Sequence, residues 1–385
     1  MMSPKSNQEL AETLRPRYQQ AGRSEKQRIL DEFVATTGYH RKYAIQVLKH
    51  WSRRRVRQRR RTVAPYAAII GPLEQLRAVA DHICGKRLVA ALPALLETLE
   101  RHDELRLERP TRELLLRISP ATADRLLQPA RRRLGCRYGL STTKPGTLLK
   151  QAIRVRTFAD WDDARPGFTE IDLVAHGGDS AHGEFVQSLD LVDITTRWSE
   201  QVALPNRSQT AVTVALDTAR QRLPFPLLGV DSDNGGEFIN ANLLRYCEQH
   251  QLTFTRARPY RKNDQAHVEQ KNWPAVRQIV GYDRYAGQPA CDALNALYAT
   301  RHLYHNFFQP VMVLVRKTRE GAKVTKQYDA PQTPYQRVLA HPEVTEADKT
   351  RLRQVFATLN PAALLRHIRT QQAAVWKLAC KTATE

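Results

Sequence analysis

Residues 228–272 read LGVDSDNGGEFINANLLRYCEQHQLTFTRARPYRKNDQAHVEQKN, and this stretch decides the fold. Its start continues an apolar run, Leu227-Leu228-Gly229-Val230, that ends in Asp231-Ser232-Asp233-Asn234-Gly235-Gly236. A short apolar run closed by Asn and Gly is a buried strand with a tight turn at its carboxyl end. Open α/β sheets place their chemistry at that edge, where Asp233 stands. The far end, Lys262 to Trp273, reads as a helix with Glu269 inside it, and thirty-five residues lie between Asp233 and Glu269. Asp231, two residues before Asp233, would face the same way on an extended strand.

Working outward, Phe168-Thr169-Glu170-Ile171-Asp172-Leu173-Val174 is a strand with Asp172 set among apolar neighbours, and Glu170 stands to it as Asp231 does to Asp233. Phe185–Val192 and Gln201–Leu204 give two more strands, joined by turns around Gly183 and Thr196-Arg197-Trp198. Ser208–Leu223 reads as a helix, Leu227–Val230 as the fourth strand, Phe238–His250 as a helix and Thr253–Arg256 as the fifth strand. The order β-β-β-α-β-α-β-α predicts a mixed sheet with helices on both faces.

A DNG after a strand, a helical Glu thirty-five residues on and an Asp on an earlier strand resemble the DDE transposases and retroviral-type integrases. The resemblance covers roughly residues 150–310 and implies a ribonuclease-H-like core. It implies that Asp172, Asp233 and Glu269 are the catalytic and metal-binding residues, with Asp172 bridging two Mg²⁺ ions and the other two acids each holding one; Mn²⁺ would substitute. In-line phosphodiester chemistry suits such a pair of ions about 3.5–4 Å apart, and Mg²⁺ favours hard oxygen ligands. Taken singly, each acid has an ordinary explanation: Asp172 paired with an Arg, Asp233 building its turn, Glu269 on a helix surface. Gln265 and Asn272 share the Glu269 helix face as assisting residues, whereas His267 points elsewhere. Many relatives have Gly shortly before this Glu, where the present run is Gln265-Ala266-His267. Around the helix, Arg258, Arg261, Lys262 and Lys271 form a basic rim suited to a phosphate path. His176 and His182, flanking Gly177-Gly178, are expected in a surface loop.

The chain has 385 residues, a formal net charge of +21 and a pI near 10.1, which points to a polyanionic partner, nucleic acid before membrane. No run of 18 apolar residues and no apolar amino-terminal signal occur, so the expectation is a cytoplasmic, nucleoid-associated bacterial protein. Cys84, Cys136, Cys247, Cys291 and Cys380 are scattered without a CxxC pair and read as reduced thiols.

Residues 1–62 are expected to be a helical DNA-binding unit. A helix begins near Ser24 with Gln27 at the capping-box position and ends at Thr36-Thr37-Gly38. A second helix, Tyr39–Trp51, places Tyr43, Val47 and Leu48 inward and Arg41, Lys42 and Lys49 outward. This is the helix-turn-helix layout; a helical hairpin with a solvated basic face is the alternative. Arg53, Arg54 and Arg55 begin a run so dense in one sign that phosphates are its natural partner. Residues 65–135 form a second helical region, in which Ser119-Pro120-Ala121-Thr122 leads into a helix carrying Arg125; a second helix-turn-helix and a plain structural helix start are both open. Residues 136–160 make a basic linker, 161–308 the catalytic core, and 309–385 a small β module with a helical, basic tail. The fold class is thus multidomain: all-α helix-turn-helix units, an α/β ribonuclease-H-like core, and a carboxyl-terminal β and helical region.

The resemblance implies a DDE transposase of an insertion sequence, acting on double-stranded DNA, element ends and target alike, as a homo-oligomer. The amino terminus lacks the HHCC zinc pattern of retroviral integrase proper. A DNA-binding regulator with an idle integrase-like core, or a purely hydrolytic nuclease, are the competing functions.

Overall fold

The computed structural model describes residues 4–49, 66–133, 165–180, 182–232, 238, 241–256, 273–320 and 323–380. The chain divides into two compact units, Met1–Ala67 and Ala68–Glu385.

In the first unit, α1 (Pro4–Gln20), α2 (Arg23–Thr37) and α3 (Arg41–Lys49) pack pairwise. Their shared core is Ala11, Tyr18, Ile29, Leu30, Phe33, Ala44 and Leu48. Gly38 ends α2 in the left-handed region, at φ 69°, and its N–H returns to the Val34 carbonyl, which is how a glycine stops a helix. The start of α2 differs from the expected capping box: Gly22 is the N-cap and makes no side-chain cap. Tyr43, expected inward, is 53% exposed. Ala44 and Leu48, four residues apart, take the inward stripe instead, and the Tyr43 ring lies edge-on against Tyr39.

The second unit opens with α4 (Ala67–Val79), α5 (Gly85–Arg101), α6 (Arg109–Arg117), α7 (Pro120–Leu126) and α8 (Gln128–Arg133). Ser119 caps α7 by accepting from the Thr122 N–H, as its sequence implied, and the Gly85 N–H donates to Asp124 Oδ1 at 3.0 Å.

The central sheet consists of β1 (Phe168–Ala175), β2 (Gln187–Asp193), β3 (Ser199–Leu204), β4 (Gly229–Ser232) and β5 (Thr253–Arg256), in the order β3-β2-β1-β4-β5. β1 pairs antiparallel with β2, β2 antiparallel with β3, and β1–β4–β5 are parallel. The parallel steps are bridged by α9 (Gln209–Arg222) and α10 (Ala241–Gln249), so the expected succession of elements is present through β5. Gly167 fixes the entry to β1: at φ 114° a Cβ would meet the Pro226 carbonyl at 2.4 Å, and its own carbonyl accepts from Leu228 N–H at 2.8 Å.

After residue 272 a π-helical turn, Trp273–Arg277, runs into the three-residue α11 (Gln278–Val280), and α12 (Gly287–Phe308) comes after it. A two-stranded ribbon is next, β6 (Leu314–Glu320) with β7 (Lys323–Tyr328), and then α13 (Pro334–Ala340), α14 (Glu346–Thr358) and α15 (Pro361–Lys377). Val174, Val186 and Ala203 of the sheet region, Ala275 and Val276 of the π turn, Leu294, Leu297 and Tyr298 of α12, and Leu365 and Ile368 of α15 share one core.

The helices of 67–133 belong to the same compact unit as the sheet rather than standing apart. Tyr304 Oη donates to the Val79 carbonyl at 2.6 Å and Gln309 Nε2 to that of Ala80 at 3.2 Å. Glu104 binds Arg366 of α15, and that guanidinium, with Asn360, holds its carboxyl down at about 2. Among the described residues, no helix is long and apolar enough to cross a membrane. Cys84, Cys247, Cys291 and Cys380 are free thiols.

Candidate active site

Asp172 lies just past the middle of β1 and is half-buried; its Oδ1 accepts from the Leu173 N–H at 2.8 Å. Side chains alternate along a strand, so Glu170, Asp172 and Val174 share one face. That face carries Asp190, the direct cross-strand partner of Asp172 on β2, fully buried and accepting from Gln201 Nε2 at 2.8 Å. On the other side of β1, Glu170 is the register partner of Asp231 on β4. Both are almost fully buried, and Asp231 Oδ1 accepts from Thr255 Oγ1 at 2.6 Å. Four carboxylates thus sit on three neighbouring strands, an arrangement that repels itself unless cations or donors answer it.

Arg197 is one answer. It holds φ 65° in the β2–β3 turn, and its buried guanidinium is drawn down from the usual arginine range by desolvation while the charges of Glu170 and Asp193 hold it up. Asp193, fully buried, accepts from Gly167 N–H at 2.8 Å and from Thr196 N–H and Oγ1 at 2.6 Å each. Burial raises its pKa, against the pull of those donors.

The sheet face is closed beyond Asp172 by the π turn. Arg277 Nη2 donates to the Ala175 carbonyl at 2.7 Å, and Arg301 Nε of α12 donates to the Ala275 carbonyl at 3.1 Å. His176, expected in a surface loop, is buried: its Nε2 meets Ser188 Oγ at 2.8 Å, and Ser188 Oγ meets Tyr298 Oη at 2.7 Å. The reversal has a tertiary cause, since Ser188 and Tyr285 meet the ring and Tyr298 holds Ser188. Burial, with the Arg277 charge, pushes His176 down to about 3, so it is a neutral imidazole. His182 is exposed, in line with its loop.

The other expected site residues divide sharply. Asp233, Glu269, Gln265, Asn272, Arg258, Arg261, Lys262, Lys271, Arg53, Arg54 and Arg55 lie outside the described residues, and β4 ends at Ser232, immediately before Asp233. Lys42 and Arg125 are exposed, and Arg41 pairs with Asp31 across α2 and α3. Among the described residues no three His, Cys, Asp or Glu side chains are grouped to hold a metal ion. A metal ion on Asp172 would therefore need ligands from outside the described residues. Among those the sequence offers Asp233 and Glu269, and carboxylates are the hard oxygen donors that a divalent ion such as Mg²⁺ favours. Sequence reading missed Asp190, although an acid inside an apolar strand is the signal that singles out Asp172. It missed Arg197, Arg277 and Arg301 as well, whose partners are far away in sequence.

Three comparisons bear on this geometry. The family model described as integrase core domain matches residues 162–262, which take in Asp172 and Asp233 and end before Glu269. The chain is 45% identical over 333 residues to the uncharacterized protein y4rM of Sinorhizobium fredii, covering 86% of this chain and 94% of that one. Among solved structures, it resembles the catalytic core domain of BIV integrase at 18% identity and a TM-score of 0.31, over 48% of this chain and 97% of that one; a likeness at that score carries no argument about function. The chain belongs to one family with y4rM, and within it stands an integrase core domain, a core of the DDE type shared by integrases and transposases.

Proposed function

We propose that this protein is a DDE transposase that binds the ends of a DNA element, frees their 3′ ends and joins them to target DNA. The observation that carries this is the placement of Asp172. It is a half-buried carboxylate just past the middle of β1, and the β1–β4 register pairs the neighbouring acids Glu170 and Asp231. In the sequence, Asp172 and Asp233 each follow that pair by two residues.

In this reading Asp172, Asp233 and Glu269 hold two Mg²⁺ ions, and Gln265 and Asn272 position the last nucleotide. When bound, the ions would lower the pKa of the attacking hydroxyl and stabilise the leaving oxygen. The chain's own contribution is to keep that charge in place. Arg197 balances Glu170 and Asp193 beneath the site, and Arg277 and Arg301 fasten the π turn above it. Basic groups at Arg258, Arg261, Lys262 and Lys271 guide the phosphate backbone. The three-helix unit, with Lys42 exposed and Arg53–Arg55 beyond it, reads the element end as a helix-turn-helix, with Arg125 as a further contact. The active species is a homo-oligomer on DNA.

The test is to incubate the protein with DNA from both flanks of its own gene and Mg²⁺, then map the products. Joined ends are expected, with Asp172→Asn and Asp233→Asn each lowering joining by roughly a hundredfold or more, since several kcal/mol of charge stabilisation go with a lost ligand. Cleavage without joining would make it a hydrolytic nuclease; binding without cleavage would make it a regulator with an idle core.

A further inference from the structure

The β6–β7 ribbon is the part of the second unit that the proposed chemistry does not use. Its strands read LVRKTRE and KVTKQY. Among the described residues they pair only with each other, in a separate two-stranded sheet. Its described apolar side chains are uncovered: Leu314, Val315, Val324 and Tyr328 are all exposed, Val315 at 65%. An isolated hairpin of this kind is marginal by itself. Its root, however, is fixed. Asp329 Oδ1 accepts from the Val313 N–H at 2.6 Å, Arg337 of α13 binds Asp329 Oδ2 at 2.7 Å, and Val311 bridges Gln332. Anchored at the base and exposed at its described apolar side chains, the ribbon is built as an arm.

Its charge says what the arm meets. Arg316, Lys317, Arg319, Lys323 and Lys326 stand against a single acid, Glu320. The register sets Lys317 directly across from Lys326. Like charges at directly opposed positions destabilise a strand pair, and an isolated pair can ill spare that stability. Lysines on an edge strand also discourage pairing with another sheet. A second copy of this chain, itself at +21, is therefore the wrong partner. A seven-residue strand spans about 24 Å, and the DNA major groove, about 12 Å wide, admits a two-stranded β-ribbon.

We propose that the β6–β7 ribbon is a duplex-DNA-binding arm, which lies along the phosphate backbone or in the major groove and adds to the contacts of the amino-terminal unit. This rests on the reading that the protein acts on double-stranded DNA, but it can fail separately.

The experiment measures binding of the full chain to a 30-base-pair duplex lacking any element end, in EDTA, across a series of KCl concentrations. On duplex DNA the log–log salt slope changes by about 0.9 per phosphate neutralised. Changing Arg316, Lys317, Arg319, Lys323 and Lys326 together to Gln should make the slope shallower by about 2 to 4, with affinity down roughly tenfold or more at 0.1 M salt. Lys326→Glu alone, at an exposed position, should change it by about 1 and decides the matter if the fivefold variant fails to fold. An unchanged slope overturns the arm. So does a variant that alters only the sedimenting mass, which would make the ribbon a contact between copies, or one that loses affinity only for single strands. Absence of end joining by the wild-type protein would instead sink the transposase reading and leave the slope readable.

Discussion

Two strand pairs in this chain are made of opposite materials. β1–β2 is buried, carries Glu170, Asp172, Asp190 and Asp193, and surrounds its acids with donors and a cation from distant parts of the sequence. β6–β7 is exposed, carries cations, and has no sheet or helix laid over its apolar side chains among the described residues. The difference shows where each pair's charges find their counterpart. Inside a core the counter-charge and donors must come from the same chain, because an unanswered buried charge costs several kcal/mol. At the surface, water and salt screen the excess, and a polyanion can replace them.

The sharpest way to break the contrast is at Asp193. Asp193→Ala removes the acceptor for the N–H groups of Gly167 and Thr196 and leaves Arg197 with one carboxylate fewer. A loss of about 3 kcal/mol is expected, read as a lower midpoint in urea unfolding. A change under about 1 kcal/mol would mean that this buried turn tolerates unanswered groups after all.

A smaller effect should come from His176, between the ends of β1 and β2. Its pKa is about 3 in the fold against an ordinary value of 6.5, so the unfolded chain takes up a proton that the folded one refuses. Stability is therefore unaffected above pH 6.5 and falls progressively as pH drops toward 3, by about 2 kcal/mol at pH 5. His176→Gln should lack this dependence, so the wild-type-minus-variant difference should fall by about 2 kcal/mol from pH 7 to pH 5. A difference that stays constant over that range would show that the ring is solvated.

The smallest effect belongs to the ribbon. Lys326→Gln, at an exposed position, should move stability by less than about 0.5 kcal/mol in thermal or urea unfolding, as surface substitutions ordinarily do. A larger loss would place the ribbon's cations inside the protein's own network.

The same division explains how much of the molecule is legible in its sequence. The strands and helices from Phe168 to Arg256 are readable because local alternation and turn chemistry decide them, and Asp172 stands out as an acid among apolar neighbours. The burial of His176 is not readable, since Ser188, Tyr285 and Tyr298 decide it and lie up to 122 residues away. The first helix is hard to see because Pro16 and many polar residues blur its apolar stripe, although Ala11 and Tyr18 are core. Tyr43 sits one position off the inward stripe of its helix, a choice that only packing against Tyr39 settles. The docking of residues 67–133 onto α12 and α15 runs through single hydrogen bonds such as Tyr304 to Val79, which no periodicity reveals.

The π turn at Trp273–Arg277 holds one surplus residue compared with an ordinary helical turn. Deleting a residue there would restore regular winding and swing the two sides apart by about 100°. Ala275 and Val276 would leave Val174, and Arg277 would lose the Ala175 carbonyl. Descent within this family should therefore tolerate substitutions in that turn far more readily than a change in its length.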